Sequence, residues 1–432
     1  MTLPSLVSRQ TKTVVVLGIS YGGKKAVQTL AHGLPSGWRL VVVDRNAHAH
    51  HVFVMPRYAV VPGHDHKAFI PYKNIFHLNQ PKPEYICLHA AVTSIRPDHV
   101  TLSRAFPEYG FPTPTIPFDY AIYALGSHLP PSLDLWASPS TNVVAPPAPY
   151  SGTKEEGLRW LQEKRNVIEK ASSVLVVGGG ALGIQFATDI KSVYPEKQVT
   201  LVHSRARLLP RFDEKMHEEV VATCKELEIE LILGERLDVS SINNRSESNA
   251  DVKKVVKTTT GREIAADLLL LCTGQAPNTE LLKEMDSSTV NKSNGLARVT
   301  RSLQLTTSSQ YLDSSSGVHP GDAAYPNIFV IGDAGDAFGA IAAGHNANQQ
   351  GEIAATNILR LIENRTSPGS EEPLLEYSPG LPSIKVSLGL TKAVFQKNGK
   401  VGVLTDGVPE MNPRRMWRMF GMLVENEEDM FL

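Results

Sequence analysis

Cysteine is scarce. Only Cys87, Cys224 and Cys272 occur in 432 residues, far apart and never as Cys-x-x-Cys. That spacing excludes a vicinal redox disulfide, a zinc knuckle and a disulfide-stapled scaffold, and it fits a reducing compartment. Long apolar runs are missing as well. No stretch approaches the roughly 18 residues of a membrane span, and the first dozen residues lack the apolar centre of a signal peptide. Residue 2 is Thr, which excludes N-terminal myristoylation. A cytoplasmic protein is expected, and the Asn-x-Ser/Thr triplets at Asn244, Asn291 and Asn364 are read as incidental. Excess charge of either sign is absent: 43 Lys and Arg balance 44 Asp and Glu, for a net charge of -1. No whole-molecule field then attracts nucleic acid or an anionic membrane. With 42% hydrophobic and 20% charged residues, disorder and collagen-like repeats are excluded too.

What is present is a repeated pattern. Val14, Val15, Val16 and Leu17 form the short apolar run of a buried parallel strand. Gly18-Ile-Ser-Tyr-Gly-Gly23 then turns into a helix expected through Leu30, and a second strand, Leu40 to Val43, ends in Asp44. Strand, glycine turn, helix, strand and acid is the order a dinucleotide requires. Backbone N–H groups approach the pyrophosphate at the helix N-terminus, and the carboxylate accepts from ribose hydroxyls. Gly18, Gly23 and Asp44 hold those places, with Ser20 in that of the middle glycine.

A second copy starts at Ser173. Val174 to Val177 leads into Gly178-Gly-Gly-Ala-Leu-Gly183, a helix to about Val193, and the strand Val199 to Val202. Here Gly178, Gly180 and Gly183 are all glycine, but the strand ends in His203, Ser204 and Arg205 rather than an acid. Two different nucleotides are implied. Each copy is followed by an apolar strand with an Asp seven residues before a glycine: Asp119 with Gly126, and Asp267 with Gly274. The order of all these pieces indicates an internal duplication. A further strand, Asn327 to Ile331, delivers Gly332 and Asp333 just before a helix expected from about Ala340 to Leu361. Asp333 can bond a polyol or cap a helix, and that helix's N-terminus favours negative charge.

These residues resemble the two-dinucleotide-binding-domain flavoproteins, and within them the apoptosis-inducing-factor-like group that includes ferroptosis suppressor protein. The similarity extends to His50-His51, Pro56-Arg57, Lys67-Ala-Phe-Ile-Pro-Tyr72, Tyr194 to Ser204 and Leu271-Cys-Thr-Gly274. The resemblance implies an α/β fold with two Rossmann-like domains, the second inserted in the first, and a small C-terminal α+β region. The expected domains are residues 1–148 with 275–365 for FAD, 149–274 for NADPH or NADH, and 366–432 at the C-terminus. Gly18, Ser20 and Gly23 would face the FAD pyrophosphate, Asp44 its adenosine ribose, and Arg57 its phosphates. Val92 would meet the adenine through its backbone, and Asp333 the ribityl chain. Gly126 and Gly274 would lie where strands emerge beside the nucleotides. Gly178, Gly180 and Gly183 would hold the nicotinamide cofactor, with Arg205 and Arg207 within reach of a 2′-phosphate. Gln185 stands where many relatives have a glutamate that positions the nicotinamide.

The expected activity is an NAD(P)H oxidoreductase in which reduced flavin passes electrons to a quinone or another conjugated small molecule. Two alternatives stay open: a tailoring oxidoreductase of secondary metabolism, and a nucleotide-responsive binding or cell-death signalling protein with little turnover. No catalytic acid, base or nucleophile is identified. His48, His50, His51, His64 and His66 cluster in sequence, but their spacing supports no metal site; the resemblance favours His50 or His51 near the flavin. At the C-terminus, Met416, Met419, Phe420 and Leu423 fall at helical spacing beside Arg414, Arg415 and Arg418. They suit ordinary packing, an acceptor wall with Trp417, or a weak, reversible contact with an anionic membrane surface. The oligomeric state is not legible.

Overall fold

The computed structural model describes residues 11–80, 82–130, 133–135, 151–242, 254–307, 323–367, 369 and 371–432. The expected boundary at residues 148 and 149, and the triplet at Asn244, lie outside them. Along the chain run β1 (Lys12–Leu17), α1 (Tyr21–Gly33), β2 (Trp38–Asp44), β3 (Tyr85–His89) and β4 (Tyr120–Tyr123). Next come α2 (Lys154–Lys170), β5 (Ser173–Val177), α3 (Ala181–Val193), β6 (Gln198–His203), α4 (Glu214–Glu226), β7 (Glu230–Leu233) and β8 (Leu268–Leu271). The remainder contains β9 (Gln304–Leu305), β10 (Tyr325–Val330), α5 (Gly344–Thr366), β11 (Ile384–Leu388), β12 (Lys392–Lys397), β13 (Lys400–Leu404) and α6 (Arg414–Met419).

The chain divides into two compact units. The first comprises Met1–Ala47, Tyr72–Ser127 and Pro277–Pro379; the second comprises His48–Pro71, His128–Ala276 and Gly380–Leu432. Both differ from the expected boundaries: His48–Pro71 clusters with the second glycine-rich unit rather than with the first, and Gly380–Leu432 clusters with it rather than forming a unit of its own.

In the first unit the strand order is β9-β10-β4-β1-β2-β3, with β1 parallel to both β2 and β4. Val14 to Leu17 and Leu40 to Val43 are wholly buried, as the continuous apolar runs of parallel strands covered on both faces require. On one face α1 lies against α5 at backbone contact distance: a Cβ on Gly351 would come 2.2 Å from the Gly22 carbonyl oxygen.

In the second unit the order is β7-β6-β5-β8. Val174 and Val176 face a core that includes Ile184, Ala187 and Ile190 of α3. Leu175 and Val177 face the opposite core with Val202 and Ile232. The C-terminal β11, β12 and β13 form an antiparallel sheet of their own. Beyond it the helical pattern expected over Met416 to Leu423 shortens to α6, and Gly421 at φ +78° ends the turn. Trp417 is fully buried and its indole N–H donates to the Lys67 carbonyl at 3.0 Å; Phe420, Met422, Val424 and Met430 are buried as well. Packing therefore accounts for Trp417 and Phe420, which are not free to line an acceptor pocket. Among the described residues, no helix is long and apolar enough to cross a membrane.

Candidate functional site: two nucleotide cradles

The two glycine turns have nearly the same backbone. Gly18 has φ +90° and donates its N–H to the Val43 carbonyl at 2.7 Å; Gly178 has φ +120° and donates to that of Val202 at 2.8 Å. Side chains are excluded at both by the returning strand. A Cβ on Gly18 would sit 2.5 Å from the Ala124 carbonyl oxygen, and one on Gly178 2.2 Å from that of Cys272. The last glycines are tighter still, since a Cβ on Gly23 would lie 1.8 Å from the Gly18 oxygen and one on Gly183 1.9 Å from the Gly178 oxygen. Glycine at these positions lets helix, turn and strand close into a cradle whose first-turn amides point outward.

The middle position differs in identity but not in space. Gly180 precedes α3 at φ -85° with nothing within 4 Å of a built Cβ. Ser20 precedes α1 at φ -71°. Negative φ and open space let a serine stand there.

Asp119 and Asp267 have a structural task. The Asp119 carboxylate accepts the Thr13 N–H at 2.8 Å, and the Asp267 carboxylate accepts the Ser173 N–H at 2.8 Å. Each fastens the strand that leads into its cradle. Gly126 (φ +65°) and Gly274 (φ +115°) follow at the other end of the strand. The Gly126 carbonyl accepts from the Asn278 N–H at 2.9 Å, and the Asn278 amide donates to the Leu125 carbonyl at 2.9 Å. Asn278 and Tyr72, whose hydroxyl bonds Asp44, were not among the expected site residues; Asn278 belongs to no local motif, whereas Tyr72 closes the Lys67-to-Tyr72 stretch of the resemblance without a role having been read for it.

At the strand tips the cradles diverge. Asp44 is buried, with Oδ2 accepting the Ile19 N–H at 2.7 Å and Oδ1 the Asn46 N–H at 2.8 Å. Burial pushes its carboxyl above the ordinary range, opposed by these hydrogen bonds. In the second cradle His203 Nδ1 accepts the Gly179 N–H at 3.1 Å, the bond Asp44 makes to Ile19. Arg205 is exposed two residues on, whereas the Arg207 guanidinium donates to the Pro210 and Phe212 carbonyls.

Other expected residues fall as follows. Asp333, in the turn after β10, accepts the Ser127 hydroxyl at 3.0 Å and caps neither that turn nor α5; burial raises its carboxyl. Gln350 of α5 takes the Gly332 N–H at 2.7 Å and fixes the same turn. Val92 opens a strand paired with Leu102, at a bulge.

Arg57 is a correction. It is completely buried in the second unit and donates to Asp189, Ser387 and the carbonyls of Gly389, Leu390 and Pro409. These five acceptors use all five guanidinium N–H groups, so none is left for a phosphate. Asp189 lies on α3, where burial pushes its carboxyl up to about 6 against the opposing pull of Arg57. The Gln185 amide, one helical turn earlier, also favours the Asp189 carboxylate. A glutamate at 185 would place a second anion beside Asp189.

The histidines scatter. His50 meets the Phe69 ring edge-on, His66 stacks on Phe431, His64 Nδ1 lies 3.0 Å from the Lys67 ammonium, and burial holds the His51 imidazole down at about 4. Among the described residues, no three His, Cys, Asp or Glu side chains converge on a metal-sized site.

The model for the pyridine nucleotide-disulphide oxidoreductases matches residues 12–351, a span that begins in β1, ends in α5 and includes both cradles. The chain belongs to that family. Fe-regulated protein 8 of Mycosarcoma maydis is 42% identical over 427 residues, covering 98% of both chains. Ferroptosis suppressor protein 1 of Taeniopygia guttata is 28% identical over 394 residues, 89% of this chain and 88% of its own. Among solved structures, the sulfide:quinone oxidoreductase of Aquifex aeolicus shares the fold with a TM-score of 0.66 at 15% identity, covering 97% and 94% of the two chains. This family member is thus an FAD-dependent NAD(P)H oxidoreductase, as expected from the sequence. Its residues fit those cofactors: Gly18 and Gly178 make the tight turn, Gly23 and Gly183 let helix and strand close, and the open space at Gly180 leaves the backbone approachable by a pyrophosphate.

Proposed function

We propose that the first unit holds FAD through Gly18, Ser20, Gly23, Asp44 and Asp333, with Val92 and Gly126 beside it. The second unit holds the nicotinamide nucleotide through Gly178, Gly180, Gly183, Arg205 and Gly274. NADPH serves at least as well as NADH, with Arg205 alone rather than the expected arginine pair facing the extra phosphate. Bound FAD supplies the two-electron chemistry; the chain binds, orients and shields its reactive ring.

The electron acceptor is a planar, electron-poor small molecule of the quinone class. The observation that carries this reading is the state of the three thiols. Cys87 lies on β3, Cys224 on α4 and Cys272 just after β8, and burial pushes each up to about 12. Burial disfavours the thiolate at each, and no two of the three form a Cys-x-x-Cys pair, so the chain offers no such dithiol to pass electrons to a disulfide. Nor does its cysteine spacing provide iron–sulfur ligation. An acceptor must therefore be reduced directly at the flavin.

Steady-state NADPH oxidation with a short-chain ubiquinone analogue, compared with oxidised lipoamide and oxidised glutathione, tests the reading. Turnover with the quinone and none with either disulfide is expected. Faster turnover with a disulfide would overturn it.

A further inference from the structure

Along α5, amide side chains recur every seven residues, at Gln350, Asn357 and Asn364. Seven residues make nearly two helical turns, so the three lie in one stripe. Each meets the chain that returns beside the helix. The Asn364 amide donates to the Glu372 carbonyl at 3.0 Å and accepts the Glu372 N–H at 3.1 Å. Asn357, completely buried, grips Leu375 in the same two-bond manner at 2.9 and 2.7 Å, and also donates to the Ser302 carbonyl at 3.1 Å. Gln350 is buried beside the Tyr377 hydroxyl. We propose that residues 372–377 form a strap that holds the flavin-binding turn, with Gln350 as the positioning residue: seated by Tyr377, it fixes Gly332 and thereby orients Asp333 toward the ribityl chain. This rests on reading the first unit as the FAD domain.

The stripe ends where the sheet gives way to the turn. The Ile331 N–H still bonds a neighbouring strand, at the Tyr123 carbonyl, whereas the next N–H, that of Gly332, goes to Gln350 Oε1 at 2.7 Å. Gly332 has φ +71°, a left-handed conformation that redirects the chain at this point. Because a backbone N–H can only donate, Oε1 faces Gly332 and the Gln350 NH2 group lies on the other side of the amide. The Tyr377 hydroxyl, wholly buried, stands beside that amide but short of full hydrogen-bond geometry. Tyr377 is itself fastened: its N–H donates to the Arg301 carbonyl at 2.7 Å, and its carbonyl accepts from the Arg301 guanidinium at 3.2 Å. That guanidinium lies 3.9 Å from the centre of the Phe338 ring. The strap thus reaches the loop that carries Asp333 at both ends, at Gly332 through Gln350 and at Phe338 through Arg301.

A buried N–H deprived of its acceptor is costly, and the turn relaxes until that group finds water or another partner. Asp333 is the next residue, and the charge-assisted hydrogen bond it offers a polyol weakens with misalignment. Loss of Gln350 should therefore reach FAD through Asp333.

Exchange of bound FAD for radiolabelled FAD is followed in the full-length holoprotein, with urea midpoints as the record of folding. Gln350→Leu is made alone and together with Asp333→Ala. Alone it should speed exchange about tenfold. On top of Asp333→Ala it should add less than about twofold, because the two residues act in one chain of contacts. Tyr377→Phe is the milder variant, since it keeps the ring and its packing. It should speed exchange about threefold with Asp333 present and leave it unchanged with Asp333→Ala. A purely structural role predicts equal factors in both backgrounds, or a lower urea midpoint with exchange unaffected; either result would overturn the proposal. An Asp333→Ala variant that itself exchanges FAD at the wild-type rate would overturn the FAD reading of this turn, a result distinct from equal factors.

Discussion

The two cradle helices are anchored in opposite ways. Helix α1 is held by backbone proximity, with Gly22 against Ala347 and Gly351 of α5 so closely that no side chain fits. Helix α3 is held by charge: Asp189 on its buried face meets the guanidinium of Arg57, and both side chains are fully buried. The first arrangement depends on small residues and fails by overpacking. The second depends on complete hydrogen bonding and fails when one partner is removed, because a buried charge is left uncompensated. Similar cradles therefore rest on supports with different weaknesses, and each can be probed without the other.

The largest effect expected is at the ionic support. Arg57→Ala should cost about 3–5 kcal/mol by stranding Asp189, read as a lower urea midpoint. Arg57→Met with Asp189→Leu should recover only the part due to the stranded carboxylate, because Ser387 and the carbonyls of Gly389, Leu390 and Pro409 still lose their donor. If Arg57→Ala instead left stability unchanged and weakened FAD retention alone, Arg57 would return to the phosphate role given it by resemblance.

Next in size is a pH effect in the same unit. His51 is held at about 4 by burial, below its ordinary value of 6.5, so the folded state resists protonation that the unfolded chain accepts. Its contribution to stability is full above pH 6.5 and is lost as pH falls toward 4. At about 1.4 kcal/mol per pH unit the loss approaches about 3 kcal/mol. Urea midpoints between pH 7 and 4.5 should fall less steeply for His51→Phe than for the wild type, and parallel slopes would contradict the assignment.

The cradles themselves come third. Gly23→Ala and Gly183→Ala each force a Cβ onto a carbonyl oxygen, at about 1–3 kcal/mol or roughly 10- to 100-fold in binding. The first should lose FAD; the second should retain FAD and lose ADP-ribose binding. Loss of the same ligand in both variants would break the division of labour between the units. The smallest effect is at the middle position. Ser20→Gly should cost α1 only a few tenths of a kcal/mol and leave FAD retention nearly unchanged, because Ser20 is exposed and makes no side-chain capping bond.

Much of this was legible in the sequence because it is local. Gly18, Gly23, Gly178 and Gly183 sit within single turns, and the strands around them carry continuous apolar runs, so pattern alone places both cradles. Asp119 and Asp267 were visible as a repeated spacing, but their purpose emerged only from their bonds to Thr13 and Ser173. Arg57 was misassigned because its acceptors, from Asp189 to Pro409, are 132 to 352 residues away and follow no periodicity. The acceptor role of His203 was hidden for a related reason: a missing acid can be read from sequence, whereas the hydrogen bond that replaces it depends on the turn of another segment.

Anaerobic titration of the purified protein with NADPH, followed at the visible flavin band, is the most direct test that one chain carries FAD in one cradle and a nicotinamide nucleotide in the other. The predicted result is a yellow protein whose band bleaches at about one equivalent of NADPH per FAD. A colourless protein that does not take up FAD, or a flavin band unchanged by both NADPH and NADH, would contradict it.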